Sequence, residues 1–107
     1  RSLLPLEEAI HLLTEVPAEL YGLRDRGTLK KGSFADMVIM DELTIGSNPL
    51  TIRNDLPLGA QRLFADATGI ESVFCNGKKI VHQGNFTNAR PGNLLRSGTH
   101  TQNPSLD

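Results

Sequence analysis

Leu6, Ala9, Ile10 and Leu13 recur at i, i+3, i+4 and i+7, a spacing that sets apolar side chains on one face of a helix. Pro5 suits the first helical position, and Glu7 and Glu8 suit the positive end of the helix dipole. Val16 precedes Pro17, whose ring crowds a helical neighbour, so this helix is expected to end near Glu15. A second, shorter helical turn is expected from Pro17 through Tyr21, with Gly22 as a left-handed cap. From Arg24 the pattern becomes extended. A turn at Lys30, Lys31 and Gly32 leads into Phe34, Ala35, Met37, Val38, Ile39 and Met40, a nearly continuous apolar run that predicts a strand covered on both faces. Residues 42–61 contain Gly46, Asn48, Pro49, Asn54, Pro57 and Gly59 and follow neither period, which reads as a long loop with short extended pieces. Leu63 and Phe64 start another strand. Residues 70–75 and 78–82 flank Asn76 and Gly77, the pair that best tolerates the two positive φ angles of a type I′ hairpin turn. After Arg90, Pro91 and Gly92 comes a short segment with Leu94 and Leu95. Residues 97–107 hold almost nothing to bury, so a disordered tail is expected there.

A chain of 107 residues with 38% hydrophobic content fits one domain with a modest core. Eleven basic and twelve acidic residues give a net charge of -1, so nothing electrostatic favours nucleic acid or an anionic membrane, and neither partner is expected. Cys75 lies in an apolar run without a second cysteine to pair with; it reads as a buried, inert thiol, and the count suits a reducing cytoplasm. The sequence has no apolar run near the ~20 residues that span a bilayer, and no signal-peptide pattern at its start. Arg1 stands where an initiator methionine would, and a helical pattern begins a few residues later, so the chain reads as a piece excised from a longer protein.

The most distinctive constellation is Gly27, Leu29, Gly32, Ala35, Asp36, Val38 and Asp41. It describes a short strand, a tight glycine turn and a buried strand, with Asp36 placed where a carboxylate needs hydrogen bonds to be tolerated. This string resembles the segment that follows the catalytic barrel in the amidohydrolase superfamily of dihydropyrimidinases, deaminases and deacylases. It is specific for the superfamily and weak for the substrate. Three further segments narrow the branch: Leu6 to Ile10 with Pro17, Ala18, Glu19, Gly22 and Leu23; Gly69, Ile70 and Glu71 leading into Asn76 and Gly77; and Thr87 with Ala89, Arg90, Pro91, Gly92, Leu94, Leu95 and Arg96. In this order, over residues 3–96, they resemble the end of N-acyl-D-amino-acid deacylases. The resemblance implies a zinc-dependent barrel that carries the hydrolysis and a small β-sandwich assembled from both ends of the chain. The expected fold is therefore α+β, mainly β, a partial β-sandwich preceded by one or two short helices. Residues 1–23 would be a helical segment from the end of the barrel, 24–96 the carboxy-terminal share of the sandwich, and 97–107 the tail.

The His-x-His pair, the bridging ligand, the later histidines and the barrel-end aspartate of that family lie upstream in relatives, and this sequence has none of them. His11, His82 and His100 show no ligand spacing. His11 on a helix and His82 at a strand end read as interface or surface residues, and His100 falls in the tail. No catalytic residue, no metal ligand and no cofactor is therefore expected in this chain, and zinc belongs by resemblance to the parent. Asp36 and Asp41 are five apart in a strand, so they point to opposite faces rather than forming an acid/base pair. Asp36 is expected to accept hydrogen bonds from a turn. Arg24, Arg26, Lys30 and Lys31 read as solvated charges beside a turn, with an anionic ligand as the functional alternative. Residues 53–64 resemble an insertion of some deacylase-like members. A packing role is the default there, and a carboxylate of an acyl-amino acid meeting Arg53 or Arg62 is the alternative. Substrate-binding residues stay unassigned.

These readings make the chain the non-catalytic carboxy-terminal domain of a hydrolase of carbon-nitrogen amide bonds, with N-acyl-D-amino-acid deacylation in the parent and no activity in the chain alone. Another amidohydrolase branch, a cyclic amidase or a deaminase, would share the 27–41 string but not the 89–92 ending. A self-standing β module that binds a partner is the reading from a different class. The expected partners are the amino-terminal barrel of the same enzyme and, through uncovered apolar surface and an open strand edge, a second copy.

Overall fold

The structure is a computed structural model and describes residues 3–103. Arg1 and Ser2 of the expected helical segment, and 104–107 of the expected tail, lie outside the described residues. Among the described residues two short helices precede eight short strands, which makes the chain α+β and mainly β, the fold class that the resemblance implied.

Helix α1, Leu6–Leu13, carries the predicted acidic first turn, and Pro5 caps it from outside, its carbonyl accepting from the Ala9 N–H at 3.0 Å. Helix α2, Glu15–Leu20, starts two residues earlier than the proline rule predicts. Pro17 is its third residue, where an N–H would have no acceptor within the helix, so the missing donor costs nothing and Val16 stays helical. Its end is closed as expected on Gly22, at φ 67: the Gly22 N–H donates to Glu19 O at 3.0 Å and the Leu23 N–H to Ala18 O at 2.9 Å.

Strands β1 (Met37–Met40), β6 (Ile70–Cys75), β7 (Lys78–His82) and β8 (Asn85–Phe86) form an antiparallel sheet in the order β1-β6-β7-β8. The β6/β7 hairpin has the predicted bounds, and its turn residues Asn76 and Gly77 sit at φ 50 and 80. A bulge between Val73 and Phe74 breaks the register, with Val73 opposite Val81 and Phe74 opposite Lys79. Two small ribbons complete the fold: β2 (Gly46–Ser47) with β5 (Ala67–Thr68), and β3 (Thr51–Arg53) with β4 (Arg62–Phe64). The long loop thus does contain short extended pieces, and a single 3-10 turn at Pro57–Gly59 tips the β3/β4 arm.

The core is thin. Among the described residues Ala18 and Ser72 are the buried side chains. The expected double-sided cover of β1 is not supplied within this chain, since Val38 and Ile39 remain 54% and 51% exposed. With β1 at the edge of its sheet, only β6 shields its flank. No helix among the described residues is long and apolar enough to cross a membrane.

Candidate functional site

The turn at Lys30 to Ser33 closes with the Ser33 N–H donating to Lys30 O at 3.1 Å, and Gly32 at φ 95 supplies the positive angle that the turn requires. The chain then enters the sheet through Phe34, whose N–H donates to Asp25 O at 2.9 Å. This places Asp36 beside the tip of the β6/β7 hairpin. The Asn76 N–H donates to Asp36 Oδ1 at 2.8 Å, and the Gly77 N–H donates to Ala35 O at 2.9 Å. Arg26 completes the cluster: one guanidinium nitrogen meets Asp36 Oδ2, the other donates to Asn76 Oδ1 at 2.9 Å, and the plane lies 4.1 Å from the centre of the Phe34 ring. Asn76 Nδ2 donates to Pro91 O at 2.7 Å.

Three of the sequence motifs therefore meet at one point: the 27–41 string through Asp36, the hairpin through Asn76, and the 89–92 ending through Pro91. Asp36 is the turn-binding acceptor expected of it. Arg26 is not the solvated charge that its sequence neighbours suggested, because its side chain is only 13% exposed and is spent on Asp36 and Asn76. The available signal was the carboxylate itself, which in an apolar run demands a donor. The cluster works as a clamp, joining the entry of β1, the tip of the hairpin and Pro91 through four side-chain hydrogen bonds.

Asp41 serves a different turn, its Oδ1 accepting from the Leu43 N–H at 2.9 Å and its carbonyl from the Ile45 N–H at 2.9 Å. His11 lies 3.5 Å from Glu15 along the helices, and His82 Nδ1 lies between Glu71 at 3.8 Å and Lys79 at 3.5 Å. His100 Nδ1 accepts from the Arg96 N–H at 2.8 Å. The three histidines are thus each in separate surroundings. Cys75 is half-buried rather than buried, against a shallow cavity shared with Ile80, Phe86 and Pro91.

The two arginines of the arm face each other across β3 and β4, and both stack on Phe64, at 3.8 Å for Arg53 and 4.8 Å for Arg62. Each already holds a carboxylate. Arg53 donates to Asp66 at 2.8 Å, and Arg62 donates to both oxygens of Asp55 at 2.7 and 2.6 Å. That bidentate hydrogen bond holds the Asp55 carboxyl below its usual range and raises the Arg62 guanidinium. A substrate carboxylate would have to displace one of these internal partners.

A metal ion needs three or four converging donors, and among the described residues no three His, Cys, Asp or Glu side chains are so grouped. Asp36, Asp66 and Asp55 are each bound to an arginine instead. The donors among the described residues are thus not arranged as a zinc site.

Residues 1–81 match the Amidohydrolase family. Among characterised proteins, the chain is 37% identical over 94 residues to the N-acyl-D-glutamate deacylase of Alcaligenes xylosoxydans xylosoxydans, covering 88% of this chain and 17% of that enzyme. It is 37% identical over 97 residues to the N-acyl-D-aspartate deacylase of the same organism, covering 90% and 18%. It is 36% identical over 93 residues to that organism's D-aminoacylase, covering 87% and 17%. The chain thus spans less than a fifth of the length of these relatives. No solved structure matches it.

Proposed function

The chain belongs to the amidohydrolase family, and on that premise we propose that it is the non-catalytic carboxy-terminal share of an N-acyl-D-amino-acid deacylase. The observation that carries this reading is its similarity, over about nine-tenths of its own length, to three deacylases of N-acyl-D-amino acids. In this reading hydrolysis of the amide bond belongs to a zinc-dependent barrel supplied by the rest of the protein. The residues of this chain complete the small sheet domain and brace it with the Arg26, Asp36 and Asn76 clamp. The ribbons and the four-stranded sheet would be one part of a composite sandwich. The unpaired Cys75 suits a cytoplasmic enzyme.

A segment exchange tests this. The matching segment of the Alcaligenes N-acyl-D-glutamate deacylase is replaced by this chain, and hydrolysis of N-acyl-D-glutamate and bound zinc are compared with a variant that lacks the segment altogether. The proposal expects the exchange to restore a soluble, zinc-loaded, active enzyme that the deletion cannot give. An exchanged protein no better than the deletion, or a deletion that is fully active, overturns it in favour of an independent β module.

A further inference from the structure

Residues 97–103 offer no apolar side chain to bury, yet this stretch is fastened to the end of α2. Thr101 pairs antiparallel with Leu23, the Gln102 N–H donates to Gly22 O at 2.8 Å, and the Arg24 N–H donates to His100 O at 3.3 Å. Gly22 makes the approach possible, for a Cβ there would lie 1.8 Å from Gln102 O. The returning segment holds its own shape through His100. The His100 N–H donates to Arg96 O at 2.9 Å, and His100 Nδ1 accepts from the Arg96 N–H at 2.8 Å. The Gly98 N–H donates to Thr101 Oγ1 at 2.8 Å, which fixes the last turn before the contact.

A ring nitrogen that accepts a hydrogen bond from an amide is unprotonated, so this arrangement requires the neutral imidazole with its proton on Nε2. We propose that residues 96–102 form a pH-sensitive strap, closed on the end of α2 while His100 is neutral and released when His100 takes up a proton. Protonation converts Nδ1 into a donor facing the donor N–H of Arg96, and one bond becomes a repulsive contact. The charged groups around His100 work in the same direction. The cavity of about 450 Å³ that His100 lines also holds Arg24 and Arg26, walled by Phe34, Leu94 and Leu95. Arg26 is neutralised by Asp36, Arg24 adds positive charge, and no carboxylate lines this cavity. Glu15, Glu19 and Asp25, with Lys30, line the neighbouring cavity on the Gln102 side. Because the closed strap demands a ring whose Nδ1 is free to accept from the Arg96 N–H, protonation of His100 works against its closure. Release uncovers the Leu23 and Arg24 backbone and opens the basic, apolar-walled cavity.

Amide hydrogen exchange on the 107-residue chain, corrected for the intrinsic pH dependence of exchange, reads the strap at Gln102 and Arg24. Protection there is expected to fall roughly five-fold between about pH 7.5 and about pH 5, the order of one hydrogen bond lost. In the variant His100→Asn the side-chain oxygen still accepts from Arg96 but does not titrate, and protection is expected to stay flat over the same range. The Arg96 amide resonance in the unmodified chain provides a second reading, and it is expected to shift together with protonation of His100. An equal fall in His100→Asn overturns the proposal, because His11 or His82 would then be responsible. An Arg96 resonance that ignores His100 protonation overturns it whatever the variant does.

Discussion

The Oδ1 of Asp36 accepts the Asn76 N–H at 2.8 Å across forty residues of sequence, so one carboxylate fixes both the entry of β1 and the tip of the β6/β7 hairpin. Arg26 bonds both Asp36 and Asn76, and its removal or that of Asp36 takes one charged partner from the other group and leaves it only its bond to Asn76. Asp36→Ala is expected to lower stability by roughly 1–3 kcal/mol, read as a lower urea midpoint. In a double-mutant cycle, Arg26→Met should add much less in the Asp36→Ala background than alone. Additive effects would contradict the clamp.

Glycines at positive φ should separate into two kinds. Gly32, at φ 95 with nothing within 4 Å of an added Cβ, pays only for backbone conformation, so Gly32→Ala is expected to cost about 1–2 kcal/mol. Gly69, at φ 79, has the Ile45 N and Cα 2.5 Å from such a Cβ. Gly69→Ala is expected to cost clearly more, because backbone must move. Gly77→Val, at φ 80 in the hairpin turn, should cost about 1–3 kcal/mol. Thermal or urea melts of the three variants rank them directly, and a Gly69 variant no weaker than the Gly32 one would contradict the packing of the β2/β5 ribbon on its loop.

Acid should loosen the β3/β4 arm. The hydrogen bond from Arg62, followed by its charge, depresses the Asp55 carboxyl. A group with a depressed folded value contributes stability above its unfolded value and loses it as pH falls through the folded one, which places the loss below about pH 4. Carboxyl resonances of Asp55 followed by NMR should report the low titration, and Arg62→Gln should move it back up. An Asp55 titration indifferent to Arg62→Gln would rule the pairing out in solution.

The isolated chain is expected to self-associate. Strand β1 is the outermost of the four-stranded sheet, with Val38 and Ile39 about half exposed, and the arm exposes Ile52 and Leu63 as a cross-strand pair with Leu58 fully open at its tip. An open edge beside apolar side chains is a template for a further strand. Sedimentation across a concentration series checks this, and a monodisperse monomer at high concentration that binds no hydrophobic dye would contradict it.

The function was legible only in part. The string from Gly27 to Asp41 pointed to the amidohydrolase family, and the family match over residues 1–81 agrees. That Arg53 and Arg62 already hold Asp66 and Asp55 was not legible, because each pairing spans a turn whose geometry the sequence leaves open. Arg26 was misread for the same reason, since its partners lie ten and fifty residues away.

What the sequence determined by itself is what a few adjacent dihedral angles can express. Asn76 and Gly77 accept positive φ more cheaply than other residues, so the hairpin and its bounds follow from them. Gly22 ends α2 for the same reason, and the 3.6-residue spacing of Leu6, Ala9, Ile10 and Leu13 gives α1. Tertiary structure alone decided where β1 pairs, where the bulge at Val73 and Phe74 falls, and that Gln102 returns to Gly22 eighty residues away. Those contacts depend on shape and on donors meeting acceptors across long loops, and closing a long loop costs nearly the same entropy for many alternative partners. Local preference cannot rank those partners; only the simultaneous satisfaction of groups such as Asp36, Arg26 and Asn76 can.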